Sequence, residues 1–314
     1  MRKEESTFLS NDGIHNIHCV KWSPDEGIEV NAILQITHGM VEFIERYEPF
    51  ANFLTEKGFI VVGHDHLGHG KSVNDSSEWG FFAENNALMT VVDDIKKVTD
   101  LTKDAYPDKP FFILGHSMGS YLLRTYLTCY SNGLDGAIIM GTGTEPKVAT
   151  SFGRCLAKFV AKIKGSHYRS DQVAALSQGP AYKMFDCTGK DSSNSWLTKD
   201  SKIVEWYYNE PACTYLFTVN GYHTLFSAVE CACDIKKMQN INKKLPLFIV
   251  SGACDPVGNH GKGVVKAYEA YKASGIEDVS MKLYENDRHE ILNELDKEIV
   301  MNDIYDWMTK RIKN

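Results

Sequence analysis

The sequence lacks any apolar run of about 18 or more residues, so it predicts no membrane-spanning helix. Basic charge is also scarce, because 34 Lys and Arg stand against 41 Asp and Glu and leave a net charge of −7. A nucleic-acid-binding domain normally carries clustered basic residues, so no nucleic-acid partner is expected. The opening segment, MRKEESTFLS, contains charges but not the apolar stretch of a secretory signal. Together these absences predict a cytoplasmic protein.

The chain also lacks the paired CxxC spacing of many metal and redox sites. Its eight cysteines are scattered, whereas disulfide scaffolds are short and dense in cysteine, so we expect free thiols in a reducing compartment. Cys231 and Cys233 flank a single residue and no second ligand pair follows them, so no metal site is predicted there. The composition, 43% hydrophobic and 24% charged, is that of a globular protein and leaves the oligomeric state open.

Short apolar runs alternate with helical patterns at the beginning and the end of the chain. Alternation of this kind indicates βαβ units, and hence an α/β fold with a mostly parallel central sheet flanked by helices. The predicted strands are Thr7–Ser10, Ile14–Trp22, Ala32–Thr37, Phe59–Val62, Phe111–Leu114, Ala137–Met140, Leu247–Val250 and Val279–Tyr284. The predicted helices are Tyr47–Lys57, Ala87–Thr102, Tyr121–Tyr130, Val264–Lys272 and Asn293–Arg311.

The interval from residue 144 to residue 244 does not alternate in this way. It shows helical spacing in pieces and is rich in aromatic side chains, among them Phe152, Phe159, Trp196, Tyr215 and Phe217. We interpret it as a mainly helical insertion that lies over the sheet as a cap. The predicted organisation is therefore a core of residues 1–143 and 245–314 with a cap of residues 144–244.

The segment Gly115-His116-Ser117-Met118-Gly119 has the GxSxG pattern, directly after a predicted strand and before a predicted helix. That context places a serine on a sharp turn, where flanking glycines let the backbone pass closely. We interpret Ser117 as a catalytic nucleophile. The alternative is an ordinary capping serine in a tight turn.

A serine nucleophile needs a base, and the base needs an acid to orient it. In chain order the acid and then the base should follow the serine, each just beyond a later strand. Asp255 comes after the strand Leu247–Val250, and His289 comes after the strand Val279–Tyr284. The alternatives are that Asp255 caps the next helix and that His289 is a plain loop residue. Asp287 is nearer to His289 in sequence, but we expect it only to line the loop.

Hydrolysis at a serine also needs backbone N–H groups for the oxyanion. One normally comes from the residue after the nucleophile, here Met118. The other comes from the loop after an early strand, and the N–H of Met40 is the candidate, with Gly39 allowing a close turn. His38 is expected to orient this loop rather than to act as the base.

These motifs, taken in order, resemble those of monoacylglycerol lipases and bacterial lysophospholipases, which are capped serine α/β-hydrolases. The resemblance extends from about Ala32 to His289. It implies that Ser117 is the nucleophile, Asp255 the acid and His289 the base, with Met40 and Met118 as oxyanion donors. The matching segments are His38-Gly39-Met40, Arg46-Tyr47, Asp65–Ser72 (DHLGHGKS), Gly115–Gly119, Asp255 and His289.

The chain departs from that family at one place. The family often has HGxGEH after the early strand, whereas here Val41 and Phe43 flank Glu42. A backbone donor at Met40 does not need those side chains, so the chemistry is expected to be unaffected while the local shape of the pocket differs.

Histidines around the turn Asp65–Ser72 raise the alternative of a phosphate loop or a metal cluster at His64, His66 and His69. The segment lacks the GxxxxGK[ST] spacing and an accompanying carboxylate pattern. We therefore interpret it as a rigid turn beside the site, and no cofactor or metal is predicted.

The predicted function is hydrolysis of a carboxylic ester through an acyl-enzyme on Ser117. The resemblance and the aromatic cap favour monoacylglycerols or lysophospholipids as substrates. Alternatives are a short-chain esterase, a thioesterase, an amidase or a proline-type peptidase of the same fold, and, from another class, a non-catalytic binding protein. A basic cluster in the cap could touch a membrane surface transiently, or be a solvated face; its members are Lys158, Lys162, Lys164 and Arg169.

Overall fold

The computed structural model describes residues 1–312, and within them eight strands form one sheet. The strand order is β1-β2-β4-β3-β5-β6-β7-β8. Strands β3 to β8 run parallel to their neighbours, whereas β1 and β2 pair antiparallel with each other and β2 with β4. The mostly parallel α/β sheet predicted from the sequence is thus confirmed. The strands are β1 Arg2–Leu9, β2 Asn16–Ser23, β3 Ala32–Thr37, β4 Phe59–His64, β5 Phe111–His116, β6 Gly136–Met140, β7 Leu247–Gly252 and β8 Val279–Tyr284.

Ten α-helices connect or flank the strands in the described chain. They are α1 Glu48–Thr55, α2 Ala87–Ala105, α3 Met118–Tyr130, α4 Lys147–Lys164, α5 Asp171–Ala175, α6 Ser201–Asn209, α7 Val219–Ala232, α8 Ile235–Met238, α9 Lys262–Ala273 and α10 Lys297–Thr309. Among residues 1–312, no helix combines the length and the apolar character needed to cross a bilayer.

The sheet is buried on both faces because alternate residues of its central strands face two separate layers of helices. Ile33, Ile113 and Ile249 point to the layer that contains α2, α3 and α9. Their neighbours Leu34 and Phe112 point to the opposite layer, formed by α1 and α10. Burying one aliphatic side chain of this size stabilises a fold by about 1.5–3 kcal/mol, so continuous apolar strands favour this three-layer arrangement.

Two predicted boundaries differ from the structure for identifiable reasons. β1 begins at Arg2 rather than at Thr7, because its charged residues pair with β2 through the backbone while almost all of its side chains stay exposed. Such an edge strand carries no apolar alternation to reveal it. The last helix begins at Lys297 rather than Asn293, since a short 3-10 turn over Ile291–Asn293 precedes it.

Helices α4 to α8 lie between β6 and β7, where the sequence predicts an insertion. The buried side chain of Arg124 on α3 connects the start of this segment and the end of α7 to the sheet layer. Its guanidinium donates to Thr142 Oγ1 (3.0 Å) and to the Gly143 carbonyl (2.8 Å) near the start of the segment. It also donates to the Ala232 carbonyl (2.9 Å) at the end of α7 and to Tyr271 Oη (3.1 Å) on α9.

One member of the predicted basic cluster is bound to loop backbone. The guanidinium of Arg169 donates to the carbonyls of Leu216, Ser77 and Trp79 and so ties loops together. The other three members, Lys158, Lys162 and Lys164, lie on α4.

Candidate active site

Ser117 occupies the turn between β5 and α3 with φ 54° and ψ −122°. A positive φ is unusual for any residue other than glycine and marks a strained turn. The turn is held by the Ser117 N–H, which donates to the Met140 carbonyl (3.0 Å), and by Ser120 Oγ, which donates to the Ser117 carbonyl (2.6 Å).

The glycines around this turn are required by close backbone packing. A Cβ on Gly119 would lie 2.2 Å from the Thr37 carbonyl oxygen, and one on Gly115 would lie 2.4 Å from the Gly119 carbonyl oxygen. A Cβ on Gly39 would lie 3.0 Å from Ser117 Cβ. The end of β3, the loop after it and the first turn of α3 therefore meet only because these residues are glycines.

Asp255 and His289 follow β7 and β8, and their side chains are paired. His289 Nδ1 and Asp255 Oδ2 lie 3.0 Å apart, and both residues are buried. Asp255 also accepts hydrogen bonds from Ser251 Oγ (3.1 Å) and the Val257 N–H (2.8 Å). Because Nδ1–H donates to the carboxylate, Nε2 of His289 is the nitrogen left to accept a proton. Asp255 does not cap α9, whose N-cap is Gly261.

Ser117, Asp255 and His289 all lie at the carboxyl edge of the parallel strands. The ring of His116, next to the serine, is 4.7 Å from the ring of His289 between centroids. Within residues 1–312 Ser117 Oγ makes no hydrogen bond to His289. In unliganded enzymes such contacts are often long and shorten only when substrate is bound.

Two backbone N–H groups next to Ser117 are free to donate. Among the described residues, neither the N–H of Met40 nor that of Met118 has an acceptor. Met118 opens α3, where unpaired N–H groups and the helix dipole favour negative charge.

His38 and His116 support this region without facing Ser117 as a base. His38 is fully buried, its Nδ1 donates to the Gly39 carbonyl (2.8 Å), and its Nε2 accepts from the His66 N–H (2.9 Å). Burial lowers the pKa of His38, so it stays neutral and orients the loop. His116 instead contacts the His289 carbonyl through Nε2 (3.3 Å) and Glu42 Oε1 through Nδ1 (3.2 Å).

The chain also resembles known proteins along nearly its whole length. Residues 28–296 match the sequence model of the family described as serine aminopeptidase, S33. The chain belongs to that family. It is 25% identical to human monoglyceride lipase over 310 residues, which cover 97% of this chain and 90% of the relative. It is 23% identical to the monoacylglycerol lipase of Mycolicibacterium smegmatis, covering 99% and 98% of the two chains.

Among solved structures, the carboxyl esterase of Bacillus coagulans, crystallised with glycerol, superposes with a TM-score of 0.90. It is 28% identical, and the match covers 100% of both chains. This S33-family chain therefore has the α/β-hydrolase fold and is a hydrolase, and the resemblance to monoacylglycerol lipases found in the sequence is confirmed.

The site also contains contacts that the sequence patterns did not specify. The ring of Trp196, from the segment between β6 and β7, lies 5.0 Å from the ring of His289. Tyr182 packs against Trp196 at 5.3 Å, and Tyr207 Oη donates to the Val41 carbonyl (3.0 Å) in the oxyanion loop. Glu290, directly after His289, pairs with Arg46. These contacts join distant parts of the chain, so no local pattern announces them.

The turn Asp65–Ser72 of this S33-family chain is held by its own hydrogen bonds. Asp65 accepts from the N–H groups of Ile44 and Lys71 (both 2.8 Å), and Ser72 Oγ donates to the Asp65 carbonyl (2.7 Å). In residues 1–312 the side chains close enough to share a metal are instead Asp287, Glu294 and Asp296. There the ammonium of Lys199 already lies 2.8 Å from Asp287 Oδ1.

Proposed function

We propose that this protein hydrolyses monoacylglycerols, with Ser117 as nucleophile, His289 as base, Asp255 as the orienting acid and the N–H groups of Met40 and Met118 as the oxyanion hole. The observation that carries the proposal is the strained Ser117 turn at the same sheet edge as the Asp255–His289 pair. Relatives that align over nearly the whole chain are named monoglyceride or monoacylglycerol lipases, which favours this substrate class.

In the first half-reaction, Ser117 Oγ attacks the ester carbonyl carbon while His289 Nε2 accepts the hydroxyl proton. The carbonyl oxygen gains negative charge, which the two N–H groups stabilise. The carbon–oxygen bond to glycerol then breaks, and His289 returns the proton to the departing alkoxide. An acyl-enzyme ester on Ser117 remains.

In the second half-reaction, water takes the place of glycerol. His289 accepts one proton of the water as its oxygen attacks the acyl carbon, and the same oxyanion hole stabilises the new intermediate. The bond to Ser117 Oγ breaks, the proton passes from His289 to the serine, and the fatty acid leaves. Asp255 keeps the imidazole in the tautomer that both steps require.

We further propose that residues 144–244 form the cap that selects the acyl chain. The ring of Trp196 packs at a tilt against His289, and Tyr182 packs at a tilt against Trp196, which supplies an apolar surface beside the reacting atoms. Ligand pockets are mainly apolar with a few placed polar groups, as this arrangement is.

The outer face of α4 supports a transient contact with a membrane surface. Val148, Phe152, Phe159 and Ile163 form one stripe of the helix and are 81%, 61%, 61% and 60% exposed. Lys158, Lys162 and Lys164 lie on the same helix, and an apolar stripe flanked by lysines suits an anionic lipid interface.

The free thiols of all eight cysteines support a reducing compartment, the cytoplasm.

Release of fatty acid tests the proposal directly. Long-chain monoacylglycerol and a short-chain acetyl ester would be compared with wild type, Ser117→Ala and the distant control Ser274→Ala. We expect faster turnover of the long-chain substrate, loss of both activities in Ser117→Ala, and no change in Ser274→Ala. Preference for the acetyl ester would discard the lipid substrate, and residual activity in Ser117→Ala would discard the nucleophile.

A further inference from the structure

Three buried charged side chains form a cluster behind Ser117 that the proposed mechanism does not use. Arg46 Nη1 donates to Glu42 Oε2 (2.9 Å), and its two Nη atoms bind both carboxylate oxygens of Glu290 (2.9 and 2.8 Å). Each of these side chains is only 4–5% exposed. Buried ion pairs are weak contributors to stability, since desolvation offsets their attraction, so stability alone is a poor explanation for this one.

Glu42 binds the loop that carries the oxyanion donor. Its Oε1 accepts from the N–H of Gly39, from Tyr47 Oη (3.0 Å) and from His116 Nδ1 (3.2 Å). The next N–H along the chain, that of Met40, has no acceptor among residues 1–312. One carboxylate therefore holds both the oxyanion loop and the residue preceding Ser117.

This loop is strained and needs such support. Val41 has a φ of 56°, a region that a β-branched residue rarely occupies. A strained conformation persists only where the surroundings determine it. Here the neighbours are Glu42, fixed on both carboxylate oxygens, and Tyr207, whose hydroxyl donates to the Val41 carbonyl (3.0 Å).

The other end of the cluster reaches the loop of the base. Glu290 follows His289 directly, and its carboxylate is held by Arg46 and by Asn293 Nδ2 (2.9 Å). His116 Nε2 also contacts the His289 carbonyl (3.3 Å). The cluster therefore spans the oxyanion loop, the nucleophile turn and the loop that carries His289.

The charges in the cluster compensate one another. Burial lowers the pKa of His116, but its hydrogen bond to Glu42 and the negative charge there outweigh burial and raise it. The guanidinium beside Glu290 holds the pKa of that carboxyl below its usual range despite burial. Two carboxylates thus face one guanidinium and one imidazole whose protonated form they favour.

We propose that Glu42 and Arg46 are positioning residues, which hold the oxyanion loop and the His289 loop in register with Ser117 without touching the substrate. This inference rests on the proposed roles of Ser117, His289 and Met40. It predicts that weakening the cluster slows the chemical step while substrate binding is retained, because only the placement of the reacting groups changes.

The test measures kcat and KM for a soluble ester in Glu42→Gln, Glu42→Ala and Arg46→Lys. We expect kcat to fall by roughly 10²-fold in Glu42→Ala, as when one oxyanion donor is lost, with KM changed less than about threefold. Glu42→Gln keeps an acceptor for the Gly39 N–H and should recover part of this loss. Arg46→Lys, which cannot bind Glu290 through two nitrogens, should fall between wild type and Glu42→Ala.

Asp94→Asn is the matched control. Asp94 is a buried carboxylate that also accepts a loop N–H, that of Asn11 (2.7 Å), and a hydroxyl, that of Ser10 (2.6 Å), in the turn between β1 and β2. It should unfold more easily than wild type but keep its kcat. A similar loss of kcat in Asp94→Asn would mean that general destabilisation explains the effect, and a wild-type kcat in folded Glu42→Ala would overturn the proposal.

Two further measurements distinguish a failure of the positioning proposal from misfolding of a variant and from a failure of the proposed function. If Glu42→Ala does not fold, Tyr47→Phe removes only one donor to Glu42 Oε1 and should lower kcat several-fold, whereas an unchanged kcat would contradict the proposal. Labelling by a fluorophosphonate probe reports on Ser117 itself. Wild-type protein without an adduct at Ser117 would refute the proposed function, while a wild-type adduct that forms more slowly in Glu42→Gln would support positioning.

Discussion

At the residue scale, the pairing of His289 with Asp255 rather than with the sequence neighbour Asp287 has a direct consequence. Asp255→Asn is expected to lower kcat by about 10³–10⁴-fold with little change in KM, because an amide no longer holds Nδ1–H and the imidazole can adopt the wrong tautomer. Steady-state ester hydrolysis measures both constants. Asp287→Asn is the control and should stay within a few-fold of wild type, since Asp287 binds Lys199 instead. Equal losses in the two variants would contradict the assignment of Asp255.

The sequence suffices to nominate Ser117, Asp255 and His289 because each follows an apolar strand in the order that a serine hydrolase requires. It could not nominate Glu290. Arg46 and Glu290 are 244 residues apart in the chain, and only the folded sheet brings their loops together. The positive φ of Val41 could not be predicted either. A valine beside Glu42 shows that the sequence departs from the family pattern, but it does not show the backbone angle of the loop.

At the scale of a single element, α4 presents apolar side chains to solvent. Changing Phe152 and Phe159 to serine is expected to weaken binding to phosphatidylcholine–phosphatidylserine vesicles by tenfold or more, because a buried phenylalanine contributes on the order of 1.5–3 kcal/mol. Vesicle co-sedimentation measures the binding. Hydrolysis of a soluble ester should be unchanged.

The matched control for α4 is Ile299→Ser on α10, which removes an equally exposed apolar side chain from another surface. It should bind vesicles like wild type. Equal binding by the α4 variant and wild type would show that the exposed stripe has another role.

The boundaries of a strand could be predicted where its burial in the sheet produces a recognisable hydrophobic pattern in the sequence. The bounds of β3 and β8 match the predicted runs, Ala32–Thr37 and Val279–Tyr284. β3 is a fully buried and mainly apolar run, whereas β8 is partly buried and alternates apolar with polar residues, and each pattern is typical of a strand. The start of β1 could not be predicted, since an exposed edge strand is held by backbone pairing that leaves no trace in hydrophobicity.

At the scale of the whole molecule, four buried histidines tie stability to pH. Burial, with the charge of neighbouring imidazoles, lowers the pKa of His64 and of His69 to about 3, and lowers those of His38 and His66 as well. In the unfolded chain each binds a proton near pH 6.5. Unfolding therefore takes up protons below pH 6.5, and the free energy of unfolding should fall as pH drops from about 6.5 toward 3, by up to about 1.4 kcal/mol per pH unit for each histidine.

Urea unfolding at pH 7.5, 6 and 5 measures this dependence. In His64→Leu the free energy of unfolding should fall less steeply as pH drops, because unfolding takes up one proton fewer. His64 is a suitable position for this change because neither of its ring nitrogens has a hydrogen-bond partner in the described chain. The exposed His167 provides the control, and His167→Gln should keep the wild-type slope. Stability that does not change between pH 7.5 and 5 would contradict the picture of neutral buried imidazoles.

The α/β-hydrolase fold itself could be predicted because hydrophobic alternation, turn glycines and motif order all point to one architecture. The packing of the segment between β6 and β7 could not, because aromatic residues that fill a core and those that face solvent look alike in sequence. Phe217 is fully buried, whereas Phe152 and Phe159 lie on the surface.

The guanidinium of Arg124 binds the chain where that segment leaves the sheet layer and again at the end of α7. A loop whose two ends are fastened at one point can be lengthened, shortened or exchanged without moving the strands on either side. A lineage built on this plan can acquire a new substrate range by replacing the stretch between the two attachment points, provided that the new stretch supplies contacts like those of Tyr207 with Val41 and of Trp196 with His289.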